Sequence, residues 1–353
     1  MAISTIKWIN NSVRIIDQCK LPVKLEYISC RDLPTLWHAI RNLSVRGAPA
    51  LGVAAAFGVL LGLKKFKGDD RKKFAEHLKT VCDYIGTSRP TAVNLFHALS
   101  EMKNVAAAHP AASVNRLKRL FKQKAFEIFE EDRRTCRQMG VHGAKLIRSG
   151  VNVLTVCNAG ALATVDYGTA LGVLYTAKSQ GKKFKVYSCE TRPLLQGSRL
   201  TAWELSKEKI DTTLICDNMA ATLMKQKKID MVFAGADRIA QNGDTANKIG
   251  TYNLAVLARY HQIPFYIVAP FSTSDGKIKK GSEIPIEERD PREVVQIGNQ
   301  RLAPKNIKVY NPAFDVTDNH LITAIVTELG IISPPFPTSI PRMFAKYNGQ
   351  RGK

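Results

Sequence analysis

Three stretches of the sequence set ionisable side chains directly after short apolar runs. In VLTVCNAGALAT, Cys157 follows a β-branched run and precedes Asn158 and Gly160, the signature of a turn into a helix. A thiol near a helix N-terminus feels the positive end of the dipole, which lowers its pKa and makes it a nucleophile or base. The alternative is an inert core cysteine. In MVFAGADRIAQNGDTANKIGTYNLAVLA, Asp237 and Arg238 close a run, Asn242-Gly243-Asp244 is a turn, and Asn247-Lys248 opens the next helix. The plainer reading is a solvated loop with Asp244 as a helix cap. In CETRPLLQGSRLTAWEL, Glu190, Arg192, Gln196 and Arg199 follow a third run.

Two further stretches suit anions. SVRGAPALG sets Arg46 and Gly47 before an apolar helix beginning near Ala48, and GTSRPTAVNL sets Arg89 before a helix introduced by proline. Backbone N–H groups at a helix start, joined by a guanidinium, bind phosphate well. Taken singly, an arginine before a helix is more often a surface charge.

The surrounding elements follow from periodicity. VRIID (13–17) and VKLEYI (23–28) read as strands of a small antiparallel sheet, and 32–43 as an amphipathic helix. Helical patterns continue to about residue 148. From Val151 short β-branched runs alternate with helical stretches: 151–157, 184–189, 212–217, 231–237, 264–270 and 307–315. This alternation predicts βαβ units and a parallel sheet covered on both faces. Ligands bind such sheets beyond the carboxyl ends of the strands, near the switch point. The expected class is α/β, with a mainly helical domain over 1–130 containing a small antiparallel sheet. A Rossmann-like domain with a parallel sheet covers 131–353, and the tail after Pro334 reads as loose.

Composition removes several classes. With 353 residues, 45% apolar and 23% charged, the chain can bury a sizeable core and is not disordered. Residues 48–63 form the longest apolar run, but sixteen residues broken by Pro49, Gly52, Gly58 and Gly62 fall short of the ~20 a membrane span needs. The run reads as a buried helix. The N-terminus lacks an apolar signal-peptide core, and seven cysteines at scattered spacings read as reduced thiols of a cytoplasmic protein. No cysteine–histidine set has zinc spacing. There is no GxGxxG after the first parallel strand, no P-loop, no HExxH and no GxSxG. Lys+Arg 52 against Asp+Glu 30 gives a net charge of +22. The basic stretches lie at turns and helix ends without interleaved aromatics, so no specific nucleic-acid partner is expected.

The segments 46–58, 88–95, 157–164, 190–205, 235–252, 285–294 (PIEERDPREV) and 311–317 (NPAFDVT) together resemble the S-methyl-5-thioribose-1-phosphate isomerase family, in order and over nearly the whole chain. That family shares its fold with ribose-1,5-bisphosphate isomerase and with regulatory subunits of a translation-initiation exchange factor. The resemblance implies a homodimeric aldose–ketose isomerase of methionine salvage that uses no metal and no cofactor. Residue by residue it implies Cys157 and Asp237 as catalytic, with substrate contacts at Arg46, Gly47, Ala48, Arg89, Gln196, Asn247 and Lys248. Two other readings stay open on the residues: an isomerase for another pentose phosphate, such as 5-deoxyribose 1-phosphate or ribose 1,5-bisphosphate, and a non-catalytic subunit of the same fold.

Overall fold

The computed structural model describes residues 3–351. Contacts divide the chain into two compact units, one of residues 1–136 with 160–168, the other of 137–159 with 169–353. The division is discontinuous, which a change of pattern along the sequence does not register.

The first unit begins with an antiparallel sheet in the order β1 (Ile6–Ile9), β2 (Ser12–Ile16), β3 (Tyr27–Cys30). The strand expected at 23–28 starts only at Tyr27. Pro22 has no N–H to give a ladder, Lys24 N donates to Lys20 O to close a turn, and Val23 stands 95% exposed. Five helices follow: α1 (Leu33–Arg41), α2 (Ala48–Leu63), α3 (Arg71–Gly86), α4 (Val93–Ala108) and α5 (Val114–Ala144), whose last residues from Arg137 on belong to the second unit. The apolar run is α2, apolar all round and buried except at Ala48, Pro49 and Leu60. Such a helix has no solvent face and becomes the axis of a core. Phe57 at its middle packs among Trp8, Phe126 and Phe129.

The second unit is built on β4 (Asn152–Thr155), α6 (Ala170–Ser179), β5 (Lys185–Cys189), a π-helical turn (Gly197–Thr201) continued by α7 (Ala202–Lys207), β6 (Thr212–Ile215), α8 (Ala220–Lys225) and β7 (Met231–Ala234). Then come β8 (Arg238–Ile239), β9 (Thr245–Lys248), α9 (Thr251–Tyr260), β10 (Phe265–Val268), the short α10 (Arg292–Val295), a hairpin of β11 (Gln296–Ile297) and β12 (Gln300–Arg301), β13 (Phe314–Thr317), β14 (Ala324–Thr327), β15 (Gly330–Ile332) and α11 (Phe336–Arg351). The main sheet has the order β15-β14-β10-β7-β4-β5-β6, parallel throughout except for the antiparallel edge strand β15. From β4 the chain winds first to β5 and β6, then returns to β7 and continues to β10 and β14. The switch point therefore lies between β4 and β7.

Several expectations need correction. The run 307–315 is not a strand of this sheet. Ile307 and Tyr310 are exposed, and only Phe314–Thr317 is extended, in a separate antiparallel ribbon of order β13-β9-β8. The sixth parallel strand is β14, in a stretch whose continuous apolar pattern serves helix or strand equally. The tail after Pro334 is not loose, since residues 336–351 form α11, anchored by buried Phe336 and Ile340 and by Phe344 against Phe271 at 4.8 Å. Among the described residues no helix is long and apolar enough to cross a membrane, and all seven cysteines are free thiols.

Candidate active site

The carboxyl ends of β4 and β7 carry the two residues of greatest chemical interest. Cys157 stands two residues beyond β4 and Asp237 three beyond β7, on the two strands that flank the switch point. Their loops touch: a side chain on Gly235 would come within 3.1 Å of the Ala159 methyl. The turn after Cys157 leads only into a single 3-10 turn, Ala161–Ala163, and not into an α-helix. The chain passes through 160–168, part of the other unit, before α6 starts at Ala170. Cys157 is half-buried with φ +61°, a left-handed backbone that costs a non-glycine residue about 1–2 kcal/mol.

The β13-β9-β8 ribbon grows out of the end of β7 and supplies the next residues. Asp237 N donates to Ala246 O at 2.9 Å, which starts the pairing. Asn247 and Lys248 lie on β9, not at the start of a helix as expected, because Ile249 and Gly250 intervene before α9. Both are buried. Asn247 Nδ2 donates to Thr251 Oγ1 at 2.9 Å. Lys248 Nζ donates to Ala313 O at 2.8 Å and lies 4.9 Å from the Phe314 ring centre. Burial lowers the pKa of this ammonium, while the charges that Cys157 and Asp237 can carry pull it back up. Cys157 and Asp237 are thus each within electrostatic reach of Lys248. Arg289 and Glu293, paired at 2.7 Å in the PIEERDPREV segment, act on Lys248 with opposite signs.

Gln196 sits just before the π-helical turn, 5% exposed, and its buried Oε1 has no hydrogen-bond partner. An unpartnered buried amide oxygen is costly unless a ligand hydroxyl reaches it. Asp244 is not a helix cap. Its carboxylate accepts from Asn242 Nδ2, Gly281 N, Asn319 N and Asn319 Nδ2, all within 2.9 Å, and so ties the β8–β9 turn to two other loops.

In the helical unit, Arg46, Gly47, Ala48 and Arg89 gather at the starts of α2 and α4. Those starts lie side by side, since a side chain on Gly52 would come within 3.2 Å of Asn94 O. Helices α1 and α3 begin with an aspartate accepting their first N–H groups, Asp32 from Thr35 N, and Asp70 from Lys72 N and Lys73 N. Helices α2 and α4 have no capping side chain, which leaves their first donors for another acceptor. Gly47 is required: its φ is +92°, and a Cβ there would meet the Ala163 backbone at 2.4 Å.

Sequence reasoning passed over four residues that shape this region. Thr191, Thr201 and Asp217 organise the backbone around Cys157, and Asp315 lies opposite Asn247 in the β9–β13 register. Neutral hydroxyls that bond backbone atoms leave no charge signal in a sequence. Asp315 is legible only as part of NPAFDVT. A cleft of about 810 Å³ lined by Arg259, Gln262, His320 and Thr323 opens elsewhere, at the amino ends of β10 and β14.

The initiation factor 2 subunit family matches residues 44–334. The methylthioribose-1-phosphate isomerase of Desulforamulus reducens is 51% identical over 340 residues, 96% of this chain and 98% of that one. Among solved structures, 5-methylthioribose 1-phosphate isomerase from Pyrococcus horikoshii OT3 superposes with a TM-score of 0.91 at 43% identity, covering 97% of this chain and 96% of that one. A structure titled translation initiation factor eIF-2B, subunit delta, from A. fulgidus gives 0.86 at 46% identity, over 96% and 98%. The chain belongs to the initiation factor 2 subunit family and, within it, to the methylthioribose-1-phosphate isomerases.

Proposed function

We propose that this protein is the aldose–ketose isomerase that converts S-methyl-5-thioribose 1-phosphate to S-methyl-5-thioribulose 1-phosphate in methionine salvage, and that Cys157 and Asp237 carry the reaction. The observation behind this assignment is a thiol and a carboxylate on the two strands that flank the switch point, with Lys248 in the field of both. The similarity to the eIF-2B delta subunit from A. fulgidus suggests a regulatory subunit instead. Such a subunit has no need of a thiol and a carboxylate placed after the two strands at the switch point.

The substrate chemistry accounts for the residue types. The anomeric carbon carries phosphate, so opening the ring cannot release a free aldehyde. The C1–O bond to the ring oxygen must break with a proton delivered to that oxygen, and Asp237 is the acid. Hydrogen then leaves C2 and arrives at C1 while the C2 hydroxyl loses its proton to become the ketone. Cys157 serves this transfer, either as the base that takes the C2 proton or by steadying charge while hydride shifts. Arg46, Arg89 and Lys248, with the N–H groups of Gly47 and Ala48, hold the phosphate. Gln196 and Asn247 bond the sugar hydroxyls.

The reaction needs no metal or cofactor in this proposal, since the positive charge comes from side chains, and chelator should leave turnover unchanged. The protein is proposed to be a cytoplasmic homodimer, which light scattering can check. Turnover of methylthioribose 1-phosphate should exceed that of 5-deoxyribose 1-phosphate and ribose 1,5-bisphosphate. No turnover of any of these sugar phosphates would move the protein to the regulatory class. Run in D2O, the reaction places deuterium at C1 of the product if Cys157 is a base, and none if hydride shifts.

A further inference from the structure

Cys157 holds a left-handed backbone, and two buried threonine hydroxyls grip it from both sides. Cys157 N donates to Thr191 Oγ1 at 2.8 Å, and Thr201 Oγ1 donates to Cys157 O at 2.6 Å. Each hydroxyl is used in both senses. Thr191 Oγ1 also donates to Cys189 O at 3.2 Å, and Thr201 Oγ1 accepts from Asn158 Nδ2 at 3.2 Å. Both threonines are essentially without solvent exposure.

The grips are themselves anchored. Thr191 has φ +65°, and its N–H and that of Arg192 donate to the two carboxylate oxygens of Asp217, at 2.8 and 2.7 Å. Thr201 ends the π-helical turn, which can press onto the end of β5 only because residue 197 is glycine. A Cβ at Gly197 would fall 1.6 Å from Cys189 O. Beyond Cys157, Asn158 Nδ2 donates to the buried Glu204 carboxylate at 2.7 Å, and Tyr175 OH donates to its other oxygen at 2.9 Å.

We infer that Thr191 and Thr201 are positioning residues that clamp the strained Cys157 backbone and so set the direction and reactivity of its thiol. A left-handed residue persists only where its surroundings over-determine it. Here the determinants are two bonds, one on each peptide unit of Cys157. Without either, the residue can relax toward the ordinary β region and swing its Cβ away. The effect on turnover rests on the proposed role of Cys157, but the clamp itself does not.

The test uses Thr191→Val and Thr201→Val, which keep shape but delete the bonds, beside Thr191→Ser and Thr201→Ser, which keep the hydroxyl. Cys157 alkylation by iodoacetamide is followed by peptide mass spectrometry, with exposed Cys19 and Cys216 as internal references. Each valine variant should alter the Cys157 labelling rate about threefold or more while the two references hold. It should lower kcat by about 10–100-fold, the scale of a small misplacement of a reacting group, with KM within about twofold. The serine variants should restore both readouts, whatever the change in melting temperature. Folded valine variants with wild-type labelling and wild-type kcat would overturn the inference. Should Cys157→Ser itself keep full kcat, the catalytic reading of Cys157 fails, and the labelling arm still decides the clamp.

Discussion

The two edges of the parallel sheet use the same unusual backbone conformation for different ends. At the amino edge, the turns from α6, α7, α8 and α9 into β5, β6, β7 and β10 each pass through a left-handed residue: Gly181, Lys209, Lys227 and Gln262. All four close in one way. The N–H of the left-handed residue bonds three residues back, and the next N–H bonds five back, as in Ile210 N to Leu205 O and Ile263 N to Ala258 O. These are ordinary, exposed helix terminations closed by their own backbone bonds, to which Lys178 Nζ of α6 adds one to Lys209 O. At the carboxyl edge, Cys157 and Thr191 are left-handed with no helix ending there, and side chains from elsewhere in the unit hold them. One edge uses the conformation to turn the chain, and the other uses it to aim a thiol.

The largest expected effect falls on the two groups proposed to react. Cys157→Ser and Asp237→Asn should each lower kcat by about 10²–10⁴, the range for a positioned acid or base, with folding nearly unchanged. Circular dichroism beside steady-state kinetics checks both halves of that statement. A variant keeping a third of wild-type kcat would remove its residue from the mechanism and weaken the contrast between the edges.

Much of this contrast was legible in the sequence. The runs behind β4, β5, β6, β7 and β10 are β-branched and bounded by turn residues, so they read as buried parallel strands, and Cys157 and Asp237, the residues proposed to react, follow two of them. The apolar helix α2 was equally plain. What failed was pairing that depends on a distant partner. Residues 307–310 look like a strand but pair with no other strand, whereas Phe314–Thr317 becomes one because β9 lies beside it. Asn247 and Lys248 looked like a helix start because the sequence does not show that ribbon. The threonine grips were invisible because a backbone conformation, not a residue type, creates the need for them.

Anion binding gives the next largest effect. Lys248→Ala and Arg89→Ala should each raise KM for the sugar phosphate by about 10–100-fold, on the order of 1.5–3 kcal/mol for a charge-assisted contact. Arg259→Ala, in the cleft at the amino edge, removes an equal charge and should leave KM unchanged. If Arg259→Ala matched the other two, bulk electrostatics from the +22 chain rather than placed contacts would govern binding.

A smaller effect concerns stability given up near the site. Burial raises the Asp315 carboxyl to about 6, although Gly250 N donates to it. The folded chain therefore keeps a proton that the unfolded chain releases near the ordinary value of 3.8. Its contribution falls as pH rises from about 4 to 6, and the penalty is complete above that window. Asp315→Asn keeps an acceptor for Gly250 N and removes the charge. It should be more stable than wild type by about 1–3 kcal/mol at pH 8, with the gain vanishing near pH 4. Asp132, raised to about 7, tilts the same curve, so the quantity to follow is the difference between variant and wild type in denaturant melts.

The smallest effect tests the comparison most directly, because it relieves the same strain at both edges. Lys209 and Lys227 are exposed and left-handed, and Gly181 already occupies the equivalent position after α6. Replacing either lysine by glycine removes the steric cost at Cβ, offset in part by the freedom glycine adds to the unfolded chain. A net gain of about 0.5–1 kcal/mol each is expected. Calorimetry should show melting raised by roughly 1–3 °C per site, with kcat and KM unchanged. Cys157→Gly relieves the same conformation at the other edge and removes the thiol with it, so any gain in melting temperature should come with loss of turnover. Thr191→Gly extends the comparison, because its own relief deletes the grip on Cys157 N. Gains at Lys209 and Lys227 without loss of activity, against losses at Thr191, would establish that strain at the carboxyl edge is held for function. Equal behaviour at all four positions would make it incidental.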